Sequence, residues 1–236
     1  MVAIGNFFFH YRNILLPLFF LVVFVPSPPL LDNPTLALAV GLSIAMMGQL
    51  IRGGTIGFVY IIRGGQNRRV HAETLVTEGI FAHCRNPLYI GNILVSVGMG
   101  LASNSLIFFL FISILIIFIY EAIVRAEENF LRNKFKADFD SYTKRVNRWL
   151  PNFSGFSETL KNHTFAWKRV IIKEYNSTYS GSTLGLLIVG KVLYDNPERY
   201  GAFGEHLPTL ITIFLVFTAL YLFVRFLKKS QRLRED

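Results

Sequence analysis

The chain has 236 residues, of which 52% are hydrophobic and only 17% charged, with a formal net charge of +9. A soluble domain carries about 25% charged residues, so this composition excludes a disordered chain, a disulfide scaffold and an ordinary water-soluble enzyme, and a mean hydropathy of +0.42 places the polypeptide in a bilayer. The single cysteine, Cys84, excludes an internal disulfide and a cysteine-based metal site, and no metal ligand set is expected.

Each crossing of about 30 Å of hydrocarbon takes roughly 20 helical residues, so the length has room for several spans and little else. The first predicted span covers 14–25, with Phe7, Phe8 and Phe9 ahead of it and Pro26-Ser27-Pro28-Pro29 behind. It lacks the basic start and small-residue cleavage site of a signal peptide and reads as a retained helix. The second covers 35–62 and is interrupted by Arg52-Gly53-Gly54. A polar stretch, 63–87, leads to a short third span, 88–102, whose Gly91, Gly98 and Gly100 suit close helix packing. Asn104 and Ser105 mark a turn. The fourth span, 106–120, runs without a breaker into a charged helix that leaves the membrane. A basic, mostly polar region fills 125–182, with Trp149 and Trp167 placed as interface anchors. Two more apolar stretches, 183–194 and 207–227, close the chain; the former is short, carries Lys191 and reads as a span, a re-entrant segment or an interfacial one.

With a cytoplasmic N-terminus and six spans, all of the 24 lysines and arginines except Arg52, Lys191 and Arg199 fall on one side. The positive-inside rule then predicts that both termini and both long polar segments are cytoplasmic, in a bacterial inner membrane or an ER membrane. The basic excess faces anionic lipid, and nucleic acid is not an expected partner. The N-x-[ST] sequons at Asn152, Asn162 and Asn176 lie on that side, where glycosylation does not act. The predicted fold is an all-α polytopic bundle of five to six spans with a cytoplasmic cofactor pocket. Its predicted parts are N-terminal spans in 1–62, a core in 63–153, a cytoplasmic linker in 154–182, and a C-terminal hairpin with a basic tail in 183–236.

Two motifs carry the chemistry. The first lies in 77–91 and contains Gly79, Phe81, Arg85, Asn86, Pro87, Tyr89 and Gly91. The second begins at Arg125 and contains Glu127, Glu128, Leu131, Phe135, Phe139, Tyr142, Val146, Arg148 and Pro151. Together, in order and separated by a helical hairpin, they resemble the isoprenylcysteine carboxyl methyltransferase and phospholipid methyltransferase superfamily of integral membrane enzymes. The pattern there is G-x-Y/F-x-x-x-R-H/N-P-x-Y-x-G, then E-E-x-x-L-x-x-x-F-G, two aromatics, and V-x-R-x-x-P. The resemblance covers about 45–153. Lys136 stands where the family commonly has glycine, and Asn86 where its eukaryotic carboxyl methyltransferases usually have histidine.

What the resemblance implies is methyl transfer from S-adenosyl-L-methionine to a prenyl-like or phospholipid-like acceptor among the membrane lipids. Arg85, Asn86, Pro87, Tyr89, Gly91, Glu127 and Glu128 would form the cofactor site, with Arg85 and Glu128 the catalytic pair. Arginine suits a carboxylate bidentately, and a glutamate suits an ammonium or a ribose diol. A carboxylate or thiolate acceptor needs no base, whereas an amine needs one from a glutamate, His71 or His83.

Plainer readings stand beside these. Glu121 with Arg125, and Glu128 with Arg132, are i,i+4 pairs of the ordinary kind; Arg85 can be a topogenic arginine; Arg52 is either an intramembrane functional charge or a snorkelling one; Cys84 reads as a packed or lipid-facing residue. A sterol-reductase-like enzyme using NADPH and a non-enzymatic transport or assembly protein are the rival functions.

Overall fold

The computed structural model describes residues 1–59 and 70–233. The last residues of the second predicted span, together with Arg63, Arg68, Arg69 and Arg234, lie outside these. The described chain is helical, with one isolated bridge between Pro29 and Ser105. Helix α1 is Val2–Phe20 and closes in a 3-10 turn, Leu21–Phe24. Helix α2 is Pro34–Phe58, α3 is Pro87–Ala102, and a π-turn at Phe108–Ile112 opens α4, Ser113–Arg145. Short α5, Phe156–Asn162, precedes α6, Trp167–Asp195; α7 is Pro197–Tyr200 and α8 is Phe203–Lys229.

Local chemistry sets several of these ends. Asn33 caps α2, its side chain accepting from the amides of Thr35 and Leu36, and Pro34 takes the first helical position where its missing N–H costs nothing. Asn104 turns the chain between α3 and α4 at φ 52°, a conformation that asparagine tolerates. Its side-chain oxygen accepts from the amides of Leu30 and Leu31, and its amide donates to the Leu31 carbonyl. The α1–α2 loop is thereby fastened to the α3–α4 turn.

Packing of α2 on α3 depends on missing side chains. A Cβ on Gly48 would lie 2.6 Å from the Gly91 carbonyl oxygen, and one on Gly98 would lie 2.5 Å from the Ala45 amide nitrogen. Backbones at this distance exclude any larger residue, as in other membrane helix pairs built on small residues. Phe9, Val23, Met99, Phe108, Ile116, Ile119, Ile123 and Ile188 fill the main core between α1, α3, α4 and α6.

Among the described residues, four helical stretches are long and apolar enough to cross a membrane: Val2–Phe24, Pro34–Phe58, Phe108–Arg145 and Phe203–Lys229. Apolar α3 is shorter, with 16 residues. Leu50, Phe111 and Phe226 are more than half exposed, which would make sticky patches in water but is the expected outer surface in lipid. An integral membrane helical bundle is thus the architecture, as composition indicates.

Two features differ in detail from the sequence expectation. The helix that begins as the fourth span continues to Arg145 with a kink at Lys136, whose backbone takes φ 45° and ψ −115°. The region expected as a linker is helical from Trp167 and runs unbroken through the apolar 183–194 stretch to Asp195. No proline interrupts it, and its polar half finds partners on α2, so the helix has no reason to stop at the apolar boundary.

Candidate functional site

The two motifs meet at one end of the bundle. Gly79 begins a 3-10 turn at φ +58°, a left-handed conformation that explains why a glycine opens the motif. The chain then runs through Arg85 and Asn86 into α3, with Pro87 at the first helical position. Past α4, the segment after Arg145 doubles back and zips onto it. Arg85 N–H donates to the Asn147 carbonyl, Asn152 N–H to the His83 carbonyl, and the Tyr142 hydroxyl to the Phe81 carbonyl at 2.7 Å. Asn86 donates its side-chain amide to the Arg148 carbonyl at 3.2 Å.

A carboxylate–guanidinium network lies within this clasp. Glu128 is buried and is approached from two sides. Arg85 donates Nε to Glu128 Oε1 at 3.1 Å, and Arg148 donates Nε to Oε1 at 3.1 Å and Nη2 to Oε2 at 2.6 Å. Arg85 Nη1 also reaches the Thr143 and Val146 carbonyls, the free acceptors at the end of α4 where a cation is favoured. Two turns before Glu128 on α4, Glu121 takes Arg148 Nη1 at 3.2 Å, Arg125 Nε at 2.5 Å and Trp149 Nε1 at 2.8 Å. The Glu128 hydrogen bond, aided by the nearby Glu121 charge, raises the Arg148 pKa above its usual value. Glu127 points elsewhere: it accepts from the Tyr89 hydroxyl at 2.6 Å, and Arg12 of α1 reaches that hydroxyl at 3.4 Å.

The structure therefore brings Arg85, Asn86, Glu127, Glu128 and Tyr89 to one end, with Arg85 and Glu128 in direct contact. Gly91 is turned away. A Cβ there would lie 2.5 Å from Arg52 Cγ and 2.7 Å from the Gly48 carbonyl oxygen, so packing on α2 accounts for this glycine. The i,i+4 reading holds for Glu121 with Arg125 and is corrected for Glu128: Arg132 pairs with Asp140 at 2.9 Å instead, because Glu128 faces the clasp. His83 is buried, with Nδ1 2.6 Å from the Asn152 carbonyl oxygen and Nε2 2.8 Å from Thr159 Oγ1. Cys84 is packed, and burial raises its thiol pKa.

Arg148, Glu121 and Trp149 join the site although the motifs single out only Arg148, and only as part of a pattern; its place in V-x-R-x-x-P was the available signal. The sequence marks Arg52 as a charge within a span, but neither its partner Glu174 nor Arg12 carries a signal, since each contact joins residues far apart in the chain. Arg52 neither snorkels nor stands alone: Nε and Nη2 grip the two Glu174 oxygens at 3.0 and 2.9 Å, and Nη1 donates to Asn92.

These features define a polytopic helical membrane protein with a buried, charge-paired site at one end. Residues 32–138, a little under half of the chain, match the phospholipid methyltransferase family, which lies in the isoprenylcysteine carboxyl methyltransferase and phospholipid methyltransferase superfamily. It is also similar to the cobalt-zinc-cadmium resistance protein CzcN of Cupriavidus metallidurans, with 32% identity over 48% of this chain and 50% of CzcN. The nickel-cobalt-cadmium resistance protein NccN of Alcaligenes xylosoxydans xylosoxydans is 26% identical over 73% of this chain and 74% of NccN. The match thus spans about half the length of the first relative and three quarters of the second. No solved structure matches the chain.

Proposed function

We propose that this protein transfers a methyl group from S-adenosyl-L-methionine to a hydrophobic, lipid-like acceptor at the cytoplasmic face of the membrane, the acceptor atom being a carboxylate oxygen, an amine nitrogen or a thiol sulfur. The observation that carries the reading is the Arg85–Glu128–Arg148 network, set in a segment of a membrane methyltransferase family. The donor set fits the cofactor. An α-amino-acid head has one carboxylate and one ammonium, so it can replace an arginine–glutamate contact charge for charge, the carboxylate on Arg85 or Arg148 and the ammonium on Glu128. Glu127 and Tyr89 offer an acceptor and a donor to ribose hydroxyls. Asn86 and Pro87 fix the start of α3 and with it the place of Tyr89 relative to Arg85.

When bound, the cofactor supplies an electrophilic methyl carbon on a positive sulfur, which the acceptor lone pair attacks as the carbon–sulfur bond breaks and a neutral thioether leaves. The contribution of this chain is to align the acceptor and to exclude water. A carboxylate or thiolate acceptor attacks without proton transfer. An amine must first shed a proton, and Glu127, acting through Tyr89, is the group placed to take it, because both His83 ring nitrogens are already engaged.

The metal-resistance names belong to the two relatives. The reading here is modification of a membrane component, with metal tolerance as a setting in which it would be used.

Thermal stability of the detergent-purified protein tests the proposal. S-adenosylmethionine or S-adenosylhomocysteine at about 100 times its Kd should add roughly 2.7 kcal/mol of apparent stability, and Tyr89→Phe, which keeps the fold, should weaken the effect. Stabilisation by NADPH alone would transfer the protein to the reductase class. No shift with any of the three would favour a non-enzymatic role.

A further inference from the structure

A cavity of about 950 Å³ lies at the end of the bundle away from the Arg85–Glu128 network. It is lined by the end of α1, the α3–α4 turn, α6 and α8, with Val25, Leu187, Leu207, Ile211 and Phe214 among its walls. Helix α3 runs from the Arg85 end to this end, and its 16 residues separate the two sites by about 24 Å. Helix α8 makes the outer wall. It lies chiefly against α6 and buries none of its residues, so a cleft is left between this helix pair and the α1 end.

We propose that this cleft holds one zwitterionic phospholipid drawn from the leaflet opposite the Arg85–Glu128 site. Length is the first argument. Between Thr183 and Asp195, both in the cleft wall, α6 rises about 18 Å. One leaflet is about half of the 30 Å hydrocarbon layer, so the cleft has the depth of a single leaflet and an apolar wall suited to an acyl chain. Charge is the second. At its polar end Lys191 and Asp195 stand one helical turn apart with Nζ 2.6 Å from Oδ2, and the lysine also reaches the Ser103 carbonyl. A headgroup with one phosphate and one amine meets this pair sign for sign. An anionic headgroup leaves Asp195 facing like charge, and an uncharged diglyceride engages neither residue. The site is independent of the methyl-transfer reading and stands if that reading fails.

The test is native mass spectrometry of the full chain after exchange against vesicles of phosphatidylethanolamine, phosphatidylglycerol or phosphatidylcholine doped with diacylglycerol. The wild type should keep one phosphatidylethanolamine or phosphatidylcholine, at least tenfold above phosphatidylglycerol and diacylglycerol. Gly190→Phe should lose it, because Gly190 lines the cleft beside Leu210 and Phe203 and a ring there takes up the space; Ile211→Trp fills the cleft from α8 and serves if the first variant misfolds. The double variant Lys191→Met, Asp195→Asn should keep a lipid and lose the headgroup preference. Equal retention of all lipids by the wild type, unchanged retention in a folded cleft-filled variant, or a lipid-free dimer formed through α8 would each overturn the proposal.

Discussion

Lys136 holds a backbone conformation, φ 45° and ψ −115°, that an L side chain adopts only under strain. The family pattern that this motif resembles commonly has glycine at this point, and the kink turns the end of α4 back so that Tyr142, Val146 and Arg148 reach the Arg85 segment. Lys136→Gly should keep the kink and remove the strain. The relief of about 1–2 kcal/mol, less about 0.5–1 kcal/mol for the freer unfolded chain, leaves a gain near 1 kcal/mol, read as a rise of roughly 2–4 °C in the melting temperature in detergent. A second residue-scale expectation concerns Cys84. Burial raises its thiol pKa, so at pH 7 it stays protonated and shielded. Maleimide labelling of the native protein should be at least roughly tenfold slower than after denaturation. Because the folded thiol ionises at a higher pH than a free one, the native rate should keep climbing with pH after that of the unfolded chain has levelled off. Rapid labelling at neutral pH would mean that the 79–86 and 146–152 segments do not clasp as described.

Between elements, the α2–α3 contact is decided by glycine. Gly98 lies against the α2 backbone, whereas a Cβ on Gly181 of α6 would meet nothing within 4 Å. Gly98→Ala should separate the helices and lower stability by about 1–3 kcal/mol, the usual scale of overpacking. Gly181→Ala should raise stability by up to about 1 kcal/mol through helix propensity alone. Opposite signs in paired melting curves are the expected outcome. This interface was partly legible in the sequence, because Gly91 and Gly98 recur seven residues apart on a helix and mark one face. The clasp was legible for the same kind of reason: the residues that build it sit within two compact motifs. What could not be read was which partner each charged residue takes. Glu128 has Arg132 one turn away and ignores it, because the Lys136 kink delivers Arg148 into better, more buried geometry. Nor did composition reveal that α6 is continuous. Its N-terminal half is polar in sequence, and only docking on α2 shows that Gln49 and Arg52 need those polar groups.

At the scale of the whole molecule, Arg52 and Glu174 join the segment that matches the family, residues 32–138, to the C-terminal helices, which no motif covers. The pair is buried, with side-chain exposures of 7% and 3%, and Gln49 adds a hydrogen bond to the same carboxylate at 3.1 Å. Removing one partner leaves an uncompensated charge in a low-dielectric interior, which typically costs 3–5 kcal/mol, whereas replacing both by apolar residues of similar volume is often neutral or better. Glu174→Gln should therefore lower the melting temperature strongly, and Arg52→Met with Glu174→Leu should recover most of the loss. Limited proteolysis separates the consequences. In the single variant α6 and α8 should detach first, with cleavage near 163–166 while the fragment holding Arg85 and Glu128 stays resistant. If the single variant melts as one unit with no early cleavage, the ion pair stabilises the bundle as a whole and does not hold the C-terminal helices in particular. If the double variant is as unstable as the single one, the surrounding Gln49, Asn92 and Ser177 require the charges themselves, and the polar cluster is a unit that apolar packing cannot replace.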